Sequence, residues 1–283
     1  MNKLGFFRNF FKKEISFRKY SQDAISTLSV EYSNGVKTIT LNDKKTRNAL
    51  SINMMENLIN NIRSNNSDPF LRVIVLAANG NVFSAGHNLK ELSSLAGTDT
   101  HQKVFTVAAD LMNAIIDSPV PIIAKVNGIA AAAGCQLVAQ CDLAICSENS
   151  TFLTPGVNFG IFCSTPGVAL SRSLPKSTTM KMLLTGKSIS ANEAKDAGLV
   201  VEVCQENKLD ISVNEYCEDI KMKSRQVVEL GKRFYYEQIN LNLKDAYHKG
   251  GNTMVENLQL QDGKEGIDSF IEKRRAIWTH GKK

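Results

Sequence analysis

At 283 residues, with 43% hydrophobic and 22% charged side chains, the chain can bury a large core and has the balance of a globular, enzyme-sized protein. It holds no run of 18 apolar residues, which excludes a bilayer-spanning helix in the sequence given. The net charge of +6 sits at the start. Residues 1–20 carry six basic side chains and one acid, and the remainder holds 28 basic against 27 acidic residues, so the body offers no basic footprint for nucleic acid.

That opening segment, MNKLGFFRNFFKKEISFRKY, sets Leu4, Phe7, Phe11 and Ile15 at helical spacing among cations. An amphipathic, cation-rich, acid-poor start has the form of a mitochondrial presequence. Within RKYS an arginine stands two residues before an aromatic, as at matrix-protease sites. The expectation is a transit peptide over 1–20, cut after Tyr20, and a matrix destination; the alternative is a basic surface helix.

TLSVEY and VKTITL flank SNG, a hairpin in which Asn34 and Gly35 supply two positive φ angles. Ser51 suits an N-cap, and Met55, Leu58, Ile59 and Ile62 mark one face of the helix after it. RVIVLA (72–77) has the length of a buried strand, and NGNVFSAGHN (79–88) reads as a loop. A short helix around LKEL and a longer one over 101–117 follow, then the strand PIIAKV (121–126), a small-residue helix, and the strand DLAICS (142–147). SANE (190–193) is a capping box with Gly198 as the matching stop. From 207 onward the pattern is helical. The chain therefore divides into a leader (1–20), an α/β core (21–206) and a helical C-terminal region (207–283). The six cysteines form no C-x-x-C pair and no secretory signal precedes them, so disulfides and structural zinc fit poorly and most read as core residues.

Two loops share one design. FSAGHN (83–88) and AAAAG (130–134) each follow a strand and place small residues where a helix starts, leaving backbone N–H groups open. Two such donors on one carbonyl oxygen would make an oxyanion hole, useful where negative charge develops on a thioester. Close packing of helices also selects Ala and Gly, and one loop alone would not separate the two readings.

FSAGHNLKEL, PIIAKVNGIAAAAGCQLVAQCDLAI and FLTPGVNFGI resemble the successive signature blocks of the enoyl-CoA hydratase/isomerase (crotonase) family. KKTRNALS resembles its upstream CoA-loop block and EGIDSFIEKRRAIW its C-terminal one, in collinear order over about residues 28–278. The resemblance implies a crotonase-like spiral of ββα units with a helical trimerisation region, assembling as a homotrimer or homohexamer. It implies an acyl-CoA thioester as ligand, coenzyme A being part of the substrate and no separate cofactor or metal being required. It puts the oxyanion N–H groups at His87 and Ala133, and Lys45 near the adenine–phosphate end of CoA. His87, Asn88, Leu89 and Lys90 would run beside the pantetheine arm, and Phe270 and Lys273 would reach a neighbouring subunit's CoA.

The same resemblance removes the acids. The two hydratase glutamates fall on Gln136 and Gly156, and the aspartate of dienoyl-CoA isomerases falls on Ser164. None of the three can exchange a proton as a carboxyl does, so hydration is expected to be slow. Gln136 could still orient a water. The His87 side chain reads first as an exposed loop residue kept for its backbone, and second as a substitute proton-transfer group. Cys163 has no visible activating partner and reads as a packed thiol. Two functions stay open: an acyl-CoA enzyme of mitochondrial lipid metabolism working by enolate stabilisation, and a non-catalytic acyl-CoA-binding or assembly protein.

Overall fold

The computed structural model describes residues 27–281; the leader and its Tyr20 cut lie outside the described residues. Strands β1 (Leu28–Ser33) and β2 (Val36–Leu41) form the expected hairpin, with Asn34 at φ 50° and Gly35 at φ 79°. Helix α1 (Ile52–Arg63) starts at Ser51, whose hydroxyl accepts from the Met54 N–H, and buries Met54, Met55, Leu58, Ile59 and Ile62. Strand β3 (Val73–Ala78) follows, and then a three-residue strand, β4 (Val82–Ser84), inside the segment expected to be loop. The helix expected around LKEL is absent. Residues 89–92 are turns, and Glu91 accepts from the N–H of Ile52, capping α1 across 39 residues of chain.

Helix α2 (Gly97–Ile116) leads to β5 (Ile122–Val126), β6 (Ile129–Ala131) and α3 (Ala133–Gln140). The first residues of the alanine run are thus a strand, and the helix begins only at Ala133. Strands β7 (Leu143–Ser147) and β8 (Thr151–Leu153) precede α4 (Ser164–Ser173) and α5 (Lys176–Thr185). Strand β9 (Ile189–Ser190) enters α6 (Ala191–Asp196) through the capping box of Ser190 and Glu193, and β10 (Glu202–Cys204) ends the sheets. A 3-10 turn at Glu206–Lys208 then leads into helices α7 (Leu209–Lys221), α8 (Arg225–Gln238), α9 (Leu243–Gln259) and α10 (Gln261–Ile271).

The strands form two sheets, in the orders β1-β2-β3-β5-β7-β10 and β4-β6-β8-β9. Successive turns of chain add one strand to each sheet and then a helix: β3-β4-α2, β5-β6-α3, β7-β8-α4. That is a spiral of ββα units. The apolar runs reflect burial on both faces. In β3, Ile74 and Leu76 face the large core under α1, α2 and α3, whereas Val73 and Val75 face a second core closed by Leu209, Val213 and Cys217 of α7. No helix among the described residues is long and apolar enough to cross a membrane.

Candidate active site

Strands β4 and β6 pair in parallel, with Ser84 opposite Ala130. His87 and Ala133 each lie three residues beyond those partners, so the two loops leave the sheet side by side. Gly86 has φ +89°, and a Cβ there would lie 2.9 Å from the Ala131 oxygen, 2.9 Å from Ala132 Cβ and 3.2 Å from the Ala133 nitrogen. Gly134 is pressed onto β4 in the same way, its virtual Cβ 2.5 Å from the Ser84 oxygen. The small residues therefore serve loop-to-loop contact as well as open amides. Ala132 holds φ 50° and ψ −117°, the glycine-favouring corner of a type II′ turn, fixed by its N–H to the Leu153 oxygen at 2.9 Å. Such backbone strain costs about 1–3 kcal/mol and turns the chain abruptly into α3. Neither the His87 nor the Ala133 N–H donates to another described residue.

The KKTRNALS segment supports the first loop from below. Buried Asn48 donates to the oxygens of Asn79 and Val82 and accepts from the Asp43 N–H. Its own carbonyl accepts from Ser84 Oγ at 2.8 Å, and that hydroxyl accepts from the Gly86 N–H. The N–H groups of Ala85 and Leu50 close the arrangement on the oxygens of Arg47 and Gly86. Sequence reading missed Asn48, because its partners lie 31 and 34 residues away.

The His87 side chain is not exposed, contrary to the first expectation. Its ring meets Phe105 edge to face at 5.6 Å between centroids, and Nδ1 lies 3.4 Å from the Leu50 oxygen. Nε2 is buried with no hydrogen-bond partner. Burial pushes the imidazole below its ordinary value of 6.5, opposed by the Leu50 carbonyl. The group is therefore neutral near pH 7. The Leu50 oxygen selects the tautomer protonated on Nδ1, which leaves the Nε2 lone pair free.

Gln136 stands one turn into α3, with its N–H on the Ala132 oxygen at 3.0 Å. It is 5% exposed and its Oε1 is buried without a partner. Its side chain lines a cavity of about 980 Å³ between α2, α3, α4 and α8, among Ala109, Met112, Ile116, Val168 and Tyr235. Phe105 shares a helix face with Ala109, Met112 and Ile116. Neither His87 nor Phe105 is among the residues that line this cavity; Phe105 stands one turn of α2 before Ala109 of its wall. At another wall Asp142 accepts from Lys232 Nζ at 2.7 Å, from the Ile122 N–H at 2.7 Å and from the Tyr236 hydroxyl at 3.0 Å. Lys232 also donates to the oxygens of Ile115 and Val120, which fastens α8 to the core.

Gly156 is buried in a 3-10 turn, Pro155–Phe159. Its φ is outside the left-handed range, yet a Cβ would lie 2.3 Å from the Ile161 oxygen and 2.8 Å from Cys163 Sγ. Cys163 is 8% exposed, and burial raises its thiol pKa, as fits a packed residue. Ser164 is exposed at the start of α4, its hydroxyl on the Phe162 oxygen at 3.4 Å. The neighbouring Thr165, not Ser164, lines the cavity. Lys45 is exposed on the loop that supports His87. Asn88 is half-buried and Leu89 and Lys90 are exposed just beyond it. Phe270, 84% exposed, and Lys273 lie at the end of α10, which packs on α8 and α9.

The fold recurs in known proteins. The profile described as enoyl-CoA hydratase/isomerase matches residues 31–281. The mitochondrial enoyl-CoA hydratase domain-containing protein 3 of Xenopus laevis is 49% identical over 251 residues, covering 89% of this chain and 85% of the relative. The crystal structure of human enoyl Coenzyme A hydratase domain-containing protein 3 superposes with a TM-score of 0.87 at 45% identity, over 89% of this chain and 100% of that one. An enoyl-CoA hydratase structure from Mycobacterium smegmatis gives 0.86 at 42% identity, over 89% and 98%. With a profile matched along nearly all its described length and relatives this similar, the chain belongs to the enoyl-CoA hydratase/isomerase family.

Proposed function

We propose that the chain binds acyl-CoA thioesters, with the thioester carbonyl oxygen between the N–H groups of His87 and Ala133 and the acyl chain directed toward the cavity at Gln136. The observation that carries this reading is the pair of undonated amides on two touching loops, held there by Gly86 and a strained Ala132. Lys45 serves the phosphate end of CoA, and His87, Asn88, Leu89 and Lys90 flank the pantetheine arm. Phe270 and Lys273, exposed on α10, complete a neighbour's site in a homotrimer or homohexamer. Calorimetry with butyryl-CoA tests the reading: measurable binding that Ala133→Pro weakens supports it, and no binding to the parent protein rejects it.

The reaction served is enolate stabilisation, not fast hydration. Gln136 and Gly156 supply no carboxyl, and a positioned acid or base is worth about 10²–10⁴ in rate. Crotonyl-CoA hydration is expected several orders of magnitude below that of a family member with two glutamates at these positions. The same absence of acids favours a second reading, a non-catalytic acyl-CoA-binding or assembly protein. A panel of acyl-CoAs incubated with the protein and read by mass spectrometry separates the two, since only an enzyme changes its ligand.

The leader and the mitochondrial designation of the Xenopus relative support a matrix destination. N-terminal sequencing of organelle protein should then begin at Ser21. Recovery of intact Met1 would reject it.

A further inference from the structure

We infer that the His87 side chain is a catalytic base acting on the carbon next to the thioester carbonyl, giving this chain an acyl-CoA enolisation activity centred on Nε2. The inference rests on the acyl-thioester reading above and adds to it the group that moves the proton. Six buried side-chain polar atoms lack a hydrogen-bond partner among the described residues, and His87 Nε2 is the one that belongs to a titratable side chain. A buried polar atom without a partner is destabilising, so its retention points to a partner that arrives with a ligand.

The geometry fits that role. The backbone N–H of His87 faces the place of the carbonyl oxygen, and the adjacent carbon of the acyl group is one bond beyond the carbonyl carbon. The His87 ring is held by the Leu50 oxygen and by Phe105, which stands one turn of α2 before Ala109 of the cavity wall. Gln136 lines that cavity with its carboxamide oxygen also unpartnered, and it positions the acyl group by hydrogen bonding without exchanging a proton. The Leu50 contact fixes the proton on Nδ1 and leaves Nε2 with its lone pair. Burial works in the same direction by disfavouring the charged ring.

The step balances within the site. The Nε2 lone pair takes a proton from Cα, the C–H electron pair becomes the C=C bond of the enolate, and the carbonyl π pair moves onto oxygen. The N–H groups of His87 and Ala133 hold that oxyanion. Return of a proton from the imidazolium to Cα restores the thioester, and exchange of that proton with solvent labels the α-carbon. On a β,γ-unsaturated chain, return to the γ-carbon moves the double bond into conjugation.

The test is α-proton exchange of butyryl-CoA in D2O, followed by proton NMR and by mass, with calorimetric affinity measured in parallel. The parent should incorporate deuterium at Cα only. His87→Asn keeps a donor near the Nδ1 position and the backbone N–H but has no Nε2. It should bind butyryl-CoA within a few-fold of the parent and exchange about 10²–10⁴ more slowly. Added imidazole should restore exchange to His87→Ala. Should His87→Asn fail to fold, His87→Gln, with a non-basic amide near Nε2, carries the same expectation. A parent that binds butyryl-CoA without exchanging it, or a His87→Asn protein that exchanges at the parent rate, overturns the inference and leaves the binding reading standing. Absence of binding removes both.

Discussion

Gly86 and Ala132 hold the two loops of the site against each other: a Cβ on Gly86 would stand 2.9 Å from Ala132 Cβ. One residue is left-handed because it is glycine, and the other is at φ 50° although it is not. The contact joins the backbone immediately before His87 to that immediately before Ala133. Gly86→Ala should therefore lower acyl-CoA affinity and destabilise the fold by about 1–3 kcal/mol, from strain and the clash together. Ala132→Gly should relieve strain and bind normally, with stability unchanged or raised by about 1 kcal/mol. Urea denaturation and calorimetry on both variants check the pair; equal losses in both would contradict it.

The two glutamate positions should respond differently to restoration. Gln136→Glu is nearly isosteric at a cavity wall and should fold, raising crotonyl-CoA hydration by no more than about 10²-fold, because paired acid–base groups act as a unit. Gly156→Glu has no room for even its Cβ beside the Ile161 oxygen and should lower the melting temperature without adding hydration. The obstacle is packing, since the Gly156 backbone angle is ordinary. A stable, faster Gly156→Glu protein would show that residues 156–163 rearrange freely.

Asp142 holds α8 against the core through Lys232 and Tyr236 beside the cavity. Lys232 is 8% exposed, so Asp142→Ala strands a buried cation and should cost about 3–5 kcal/mol, with weaker binding of long acyl chains whose wall includes α8. Chemical denaturation together with affinities for butyryl- and dodecanoyl-CoA measures both effects.

Acidification should act through His87. Its folded pKa lies below the unfolded value of about 6.5, so the unfolded chain binds the proton first as pH falls. The stabilising contribution is complete above the unfolded pKa and is lost progressively below it. Its packed neighbours Leu50 and Phe105 carry no charge. The parent should lose more stability between pH 7 and pH 5 than His87→Asn does. Parallel urea titrations at the two pH values decide it, and identical losses would place the ring in contact with solvent.

Much of this architecture is legible in the sequence. Asn34-Gly35, the Ser51 cap, the SANE box and the apolar runs at 72–77 and 121–126 all report local physics, and each element formed where its residues direct. The second sheet was not legible. Its strands β4, β6 and β8 are three residues long, too short to show a period of two, and lie within Ala-, Gly- and Ser-containing runs. The LKEL segment has helical composition, but Glu91 is committed to capping α1. For the site, the motifs point to the proposed backbone pair at His87 and Ala133. The fate of the His87 ring could not, because Leu50 and Phe105 reach it from 37 residues before and 18 residues after.

Infrared spectroscopy of butyryl-CoA carrying a 13C-labelled thioester carbonyl, bound to the protein, reads the proposed oxyanion contact at the bond it acts on. Two amide donors on one oxygen polarise the C=O bond. The isotope-edited carbonyl stretch should move to lower frequency on binding, and the shift should shrink in Ala133→Pro, which lacks the second donor. A bound thioester whose stretch stays at its free-solution frequency would show that the two amides do not hold its oxygen.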